Sequence, residues 1–217
     1  TSQVVSFSTA AERPERAWIL GTNSHLPAGV AVVWARAVPH EFHARFSALS
    51  RRYLYVYSQA PVSSALGDGQ WWWRPGLDAS AMHGAAQALL GEQDFSAVRA
   101  AGCQSASPFR CVHRVSVARH GQLLVLDIEA NAFLLHMVRN IASMLAQVGE
   151  GRQAVSWPAS LLRSKDRRLL GPTAPPQALY LAQVRYPPEL ELPGLRPPPV
   201  LAVLGAAAVE SDAGRLG

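Results

Sequence analysis

Every second residue of the run 53–57 is aromatic: within RRYLYVY at 51–57, Tyr53, Tyr55 and Tyr57 alternate with Leu54 and Val56 behind Arg51 and Arg52. Two chemistries meet there. Aromatic rings stack on nucleobases, and the planar arginine fork suits phosphate. The preceding stretch FHARFSA (42–48) adds Phe42, Arg45 and Phe46 of the same two kinds. The tyrosines equally suit a sheet core with their hydroxyls at the rim, because strands favour aromatics in any case. A second constellation lies on 133–148, where His136, Arg139, Asn140 and Ser143 form a polar stripe at helical spacing. By itself this stripe reads as a solvated helix face, or as one arginine held as a counter-ion. Other chemistries find no support. The seven histidines are scattered, and no HExxH, CxxC, GxGxxG or GxxxxGKS/T pattern occurs. A Ser/His/Asp arrangement stays open on composition, though no nucleophile elbow accompanies it.

The elements that must position these residues follow from periodicity. Residues 51–57 alternate cleanly and predict a strand with Arg51, Tyr53, Tyr55 and Tyr57 on one face and Arg52, Leu54 and Val56 on the other. Short strands are also predicted over 3–8 and 30–38, a hairpin over 112–119 and 122–129 turning at His120-Gly121, and a last strand over 179–186. Helices are predicted over 14–23, over 78–90 with Asp78 as cap and Met82, Ala86 and Leu89 inward, over 133–148, and over 157–164. The segment 92–111 shows no sustained period and reads mostly as loop. Mixed strands and helices with hairpin connections predict an α+β fold around a largely antiparallel sheet flanked by helices.

The chain has 217 residues, 49% of them hydrophobic and 16% charged. That excludes a disordered chain, and no apolar run is long enough to span a membrane. Cys103 and Cys111 are too few for a disulfide framework or a four-cysteine zinc site, and predict free thiols in a reducing cytoplasm. The net charge is +5; Lys165 is the single lysine, so the basic surface is almost wholly arginine. A basic, arginine-rich body suggests a polyanionic partner. Proline, glycine and alanine dominate 188–217, which is expected to be a disordered tail.

Several segments, taken in order, then stop being generic: QVVSF at 3–7, NSHLP at 23–27, FHARFSALSRRYLYVY at 42–57, LLGEQDFSAVRAAGCQSASPFRCV at 89–112, NAFLLHMVRNIASML at 131–145 and ALYLAQVRYP at 178–187. Together they resemble the tRNA pseudouridine synthase A (TruA) family over about residues 1–187. The resemblance implies a pseudouridine-synthase-like fold of two related subdomains, the remainder of the first over 1–40 and the catalytic one over 41–187. It implies conversion of uridine to pseudouridine at positions 38, 39 and 40 of the tRNA anticodon stem-loop, with no cofactor or metal, by a cytoplasmic homodimer. Residue by residue it implies that Tyr53 stacks on the target base, that Arg139 pairs with the catalytic aspartate, and that Leu179 lines the base pocket. Arg45, Arg52, Arg99 and Arg110 are implied contacts to the RNA backbone.

The sequence departs from the family at one place. The GRTDAGVHA-type motif that carries the nucleophilic aspartate should end just before Gln3. None of Asp68, Asp78, Asp94, Asp127, Asp166 and Asp212 stands in such a context. The expectation is an N-terminally truncated member, its first subdomain incomplete and its nucleophile upstream of Thr1, inactive by itself. The rival expectation is a non-catalytic tRNA-binding relative.

Overall fold

The computed structural model describes residues 3–62, 69–74 and 76–193. Helix α1 spans Glu15–Asn23. Strand β1 (Ser50–Ser58) is followed by the two-residue β2 (Trp71–Trp72), helix α2 (Ala79–Ala86) and β3 (Gly91–Asp94). The hairpin β4 (Phe109–His120) and β5 (Leu123–Ala130) leads into helix α3 (Met137–Gly149) and helix α4 (Trp157–Ser164), and β6 (Leu179–Arg185) closes the sheet. Strand β1 lies at the centre of the pairing. It is antiparallel to β5 on one side, and on the other side to β6 over Ser50–Tyr55, with β2 running parallel beside Tyr57 and Ser58. β4 and β3 extend the sheet beyond β5.

The alternation of RRYLYVY decides what each face does. Tyr55 and Tyr57 are fully buried in the main core, and the Tyr57 hydroxyl donates to the Ala142 carbonyl of α3 at 2.8 Å. Their face is therefore the one against which α3 packs. Leu54 turns the other way and joins Val125 and Ala182 in a small second cluster. The β4–β5 connection uses two residues, with His120 opposite Leu123 and Gly121 supplying φ +59°, a region where a side chain would be strained.

α2 carries the expected cap, Asp78 accepting from the amides of Ser80 and Ala81, and Met82, Ala86 and Leu89 are fully buried. It crosses α3 closely at Gly149, where a Cβ would stand 2.7 Å from Met82 Sδ and 3.1 Å from Leu77 Cδ2. Gly149→Ala is therefore expected to destabilise by about 1–3 kcal/mol through overpacking, read as a lower urea midpoint.

Three expectations change. Residues 3–8 and 30–38 carry no regular secondary structure, and neither pairs in a ladder among the described residues; a strand needs a neighbour to bond, and alternation alone does not supply one. Instead, Asn23 stands in for a strand partner at Val32, its side chain donating to the carbonyl at 3.0 Å and accepting from the amide at 2.7 Å. The stretch 92–111 is not mostly loop. β3 pairs there with Phe109–Val112, and its polar residues GEQD carry no apolar period because it is an edge strand. α3 begins four residues later than expected, since His136 adopts φ +57° and interrupts the helical run. The tail residues 194–217, Asp68 and Asp212 lie outside the described residues.

Candidate functional site

Tyr53 differs from its two neighbours in the alternation. Tyr55 donates to the Pro175 carbonyl at 3.0 Å and Tyr57 to α3, whereas the Tyr53 hydroxyl has no hydrogen-bond partner among the described residues. In register it sits between Ile128 of β5 and Leu181 of β6, and its ring meets Phe133 edge-on at 5.1 Å. The β1–β6 register shifts at Arg52/Tyr53, leaving Ala182 extra, the kind of bulge that re-aims a side chain beside a site. In front of Tyr53 opens a cavity of about 400 Å³ walled by Arg51, Arg45, His43, Leu181 and the segment 3–6. The cavity is open to solvent on one side and fixed on the other. Ser6 Oγ accepts from the Ala44 amide, and Tyr186 donates to the Ala44 carbonyl. Arg51 is tied to the carbonyls of Asn131 at 2.8 Å and Ala48 at 3.2 Å.

Arg139, in the first turn of α3, donates from Nε to the Ala174 carbonyl at 2.6 Å. Among the described residues no carboxylate lies within 4.0 Å of it. It faces the hydroxyl end of Tyr55, whose ionisation its charge favours while burial opposes it more strongly. Leu179 is opposite Tyr55 in the β1–β6 ladder and packs on the same core as Tyr53. Tyr53, Arg139 and Leu179 therefore gather on one face of the sheet around Tyr55. Only Tyr53 lines the cavity itself; Arg139 and Leu179 stand behind it.

The four other arginines are placed differently. Arg45 lines the cavity with its guanidinium 5.6 Å from the Phe46 ring centre. Arg52 lies on the opposite face, held by Asp127 through Nε at 2.8 Å and a terminal nitrogen at 2.6 Å. That bond raises its pKa against the effect of burial. Arg99 holds the carbonyls of Cys103 and Ser105, and Arg110 those of Ser107 and Phe109 with the Ser105 hydroxyl, so both brace the 103–110 loop. Arg51, His43 and Leu181 also line the cavity, though none of them was among the site residues expected from the family-like motifs. The signal for Arg51 was present in its shared parity with Tyr53.

The described aspartates are all engaged elsewhere. Asp78 caps α2, Asp94 pairs with Lys165, Asp127 with Arg52 and Arg114, and Asp166 with Arg168. Among the described residues no three His, Cys, Asp or Glu side chains gather as a metal site, and no helix is long and apolar enough to cross a membrane.

Burial raises the phenols of Tyr53, Tyr55, Tyr57, Tyr180 and Tyr186 above their ordinary value, with Arg51 opposing the shift at Tyr53. An unfolded chain loses these protons first as pH rises through about 10, so it binds fewer protons than the folded one and stability falls. Urea midpoints are expected to drop between pH 9 and 11. Phenolate absorbance appearing in the folded protein at the ordinary pH, with unchanged midpoints, would contradict this.

A family model described as tRNA pseudouridine synthase matches residues 85–187. The chain is 52% identical over 194 residues to tRNA pseudouridine synthase A of Haemophilus influenzae (strain 86-028NP), covering 89% of this chain and 72% of that protein. It is 49% identical to the protein of the same name from Pseudomonas aeruginosa, covering 89% and 68%, and 52% identical to that of Shewanella amazonensis, covering 90% and 75%.

Proposed function

The chain belongs to the tRNA pseudouridine synthase A family, and on that premise we propose that it is the base-handling body of an enzyme isomerising uridine to pseudouridine in the tRNA anticodon stem-loop, at positions 38, 39 and 40. The observation that carries the reading is Tyr53: an aromatic ring at the wall of a basic cavity, its hydroxyl without a hydrogen-bond partner among the described residues, two residues along the strand from Tyr55, which the half-buried Arg139 faces. A target uridine must leave its stack to be reached. Tyr53 offers the ring on which it stacks, and Arg51 and Arg45 at the rim offer charge to flanking phosphates. The reaction proceeds by attack of a carboxylate on the sugar carbon of the uridine as the glycosidic C–N bond breaks, turning of the freed base, bonding of C5 to that carbon with expulsion of the carboxylate, and loss of the C5 proton. Tyr53 is the group placed to assist that last proton transfer.

Arg139 acts on the carboxylate. Its Nε is spent on Ala174, while its terminal nitrogens find no partner among the described residues. A carboxylate docked there stays ionised and aimed. Since the described aspartates are committed elsewhere, the nucleophile comes from outside the described residues. Leu179, beside Tyr55, forms the apolar backing of the site. Residues 41–187 make up this catalytic subdomain and 1–40 belong to a companion one. The family resemblance supports a homodimer acting in the cytoplasm. Arg99 and Arg110 serve RNA by shaping the 103–110 loop, with Arg45 and Arg51 as the more direct phosphate contacts; Arg52 is held away by Asp127.

The 217-residue chain is expected to bind tRNA with an affinity that falls linearly on a log–log plot against salt, because phosphate contacts release counterions, and to release no tritium from C5-labelled uridine. Binding indifferent to salt would overturn the RNA reading. Robust tritium release would overturn the external nucleophile. The second reading, tRNA binding without chemistry, draws on the same Arg139 fork, whose terminal nitrogens have no partner among the described residues; salt-dependent tRNA binding by the whole gene product with no tritium release would favour it.

A further inference from the structure

Most of the polar stripe along α3 is covered by one chain segment: Asn140 and Ser143 are buried and Arg139 half-buried, while His136, just before the helix, stays exposed. Residues 170–175 run antiparallel to the helix and are tied to it at nearly every step. Gln147 donates to the Leu170 carbonyl at 2.8 Å, Ser143 to the Pro172 carbonyl at 2.7 Å, and Arg139 to the Ala174 carbonyl at 2.6 Å. Between the last two, the Thr173 hydroxyl donates to Asn140 Oδ1 at 2.8 Å. One residue further on, Pro175 accepts from Tyr55, and four residues later the chain enters β6 with Leu179 opposite that same tyrosine. The strap therefore sets Arg139 and Leu179 at once.

One side chain spans it. Arg167 donates to the Gly171 carbonyl at 2.8 Å, and to Thr173 Oγ1 and Asn140 Oδ1 at 3.0 Å each. Asn140 is fully buried and spends its amide on the Val98 carbonyl at 2.8 Å, so its oxygen is left facing Arg167 and Thr173. The neighbouring charges pair with one another, Asp166 with Arg168, while Arg167 has no carboxylate within 4.0 Å among the described residues. Burial pushes its pKa down. A half-buried guanidinium with neutral partners alone is costly to keep for stability, whereas a planar fork reaching three acceptors fixes geometry well.

We propose that Arg167 is a positioning residue for the reaction: it locks the 170–175 strap to Asn140 so that the Ala174 carbonyl holds Arg139 by Nε with its terminal nitrogens turned to the attacking carboxylate. This rests on the role given to Arg139 above. Arg167 touches neither base nor nucleophile; it acts through the strap.

The test uses the whole gene product, with single-turnover pseudouridine formation, tRNA affinity and thermal melting measured for R167Q, R167K, R139K, R139Q and R139K/R167Q. Misplacing a reacting group by an ångström costs about 10²-fold in rate, and a loss of that order is expected for R167Q with tRNA affinity nearly unchanged. R167K, which keeps the charge but not the fork, should regain part of it. In the R139K background the same change should cost only about 3-fold or less, because coupled residues are not additive. Equal losses in both backgrounds, or a wild-type rate in folded R167Q, overturn the proposal while leaving Arg139's role intact. A wild-type rate in R139K and in R139Q overturns both. Should R167Q fail to fold, T173V removes two bonds at nearly constant volume, the one from Arg167 and the one to Asn140, and its loss must likewise vanish in the R139K background or the proposal falls.

Discussion

Arg139→Gln in the whole gene product is expected to slow pseudouridine formation by about 10²- to 10³-fold, the cost of removing one preorganised charge partner from a secluded site, while tRNA affinity changes little. The direction follows from geometry. Arg139 is anchored by a single bond from Nε to Ala174, and the rest of its fork has no partner among the described residues, so what the substitution removes is the interaction with an incoming carboxylate. Glutamine keeps a donor but not the charge, so the carboxylate loses the cation that keeps it ionised. Arg139→Lys should fall between, since an ammonium cannot hold a carbonyl and a carboxylate in one plane. Single-turnover rates at saturating enzyme, set beside tRNA dissociation constants, separate this from a binding defect.

The largest stability effect is expected on the other face of the sheet. Asp127→Ala should cost about 3–5 kcal/mol, the range for stripping one partner from a buried ion pair. Asp127 binds the Arg52 fork with both oxygens, their side chains only 8% and 13% exposed, and Arg114 stands 3.5 Å away. Without the carboxylate, Arg52 is left half-enclosed and unpaired. Replacing both residues by apolar ones, as in R52M/D127L, should recover much of the loss, because the desolvation cost then disappears as well. Chemical denaturation of the three proteins checks this. A double variant as unstable as D127A would point to packing rather than charge.

Much of the scaffold was legible in the residues. RRYLYVY declared a strand and its two faces, Asp78 declared a helix start, and His120-Gly121 declared a hairpin, because each rests on local chemistry that tertiary context seldom overrides. What failed was pairing and interruption. QVVSFS and VAVVWARAV have strand composition, yet a ladder depends on a neighbour that no local pattern reveals. β3 has no strand composition, yet it pairs because β4 presents an edge. The helix over 133–148 was cut back by one left-handed residue, His136, whose type gives no warning. The polar stripe of α3 resembled a solvated face because the strap that covers Asn140 and Ser143 arrives from well downstream in the chain. Within the site, Tyr53, Arg139 and Leu179 came from family-like motifs. Arg51 could have come from physics alone, since alternation puts it with Tyr53 and puts Arg52 away from it. In the run Trp71–Trp73, Trp71 stacks on Tyr57 and Trp73 donates from its indole nitrogen to Glu150.

The proposal that the face carrying Tyr53, Arg139 and Leu179 serves pseudouridine formation in the tRNA anticodon stem-loop is tested by quantifying pseudouridine at positions 38, 39 and 40 in tRNA from a strain lacking this gene, after returning the intact gene, its Y53A form or its R139Q form. The expected result is loss on deletion, restoration by the intact gene, and little or none by either variant. Full modification in the deletion strain, or full restoration by both variants, would contradict it.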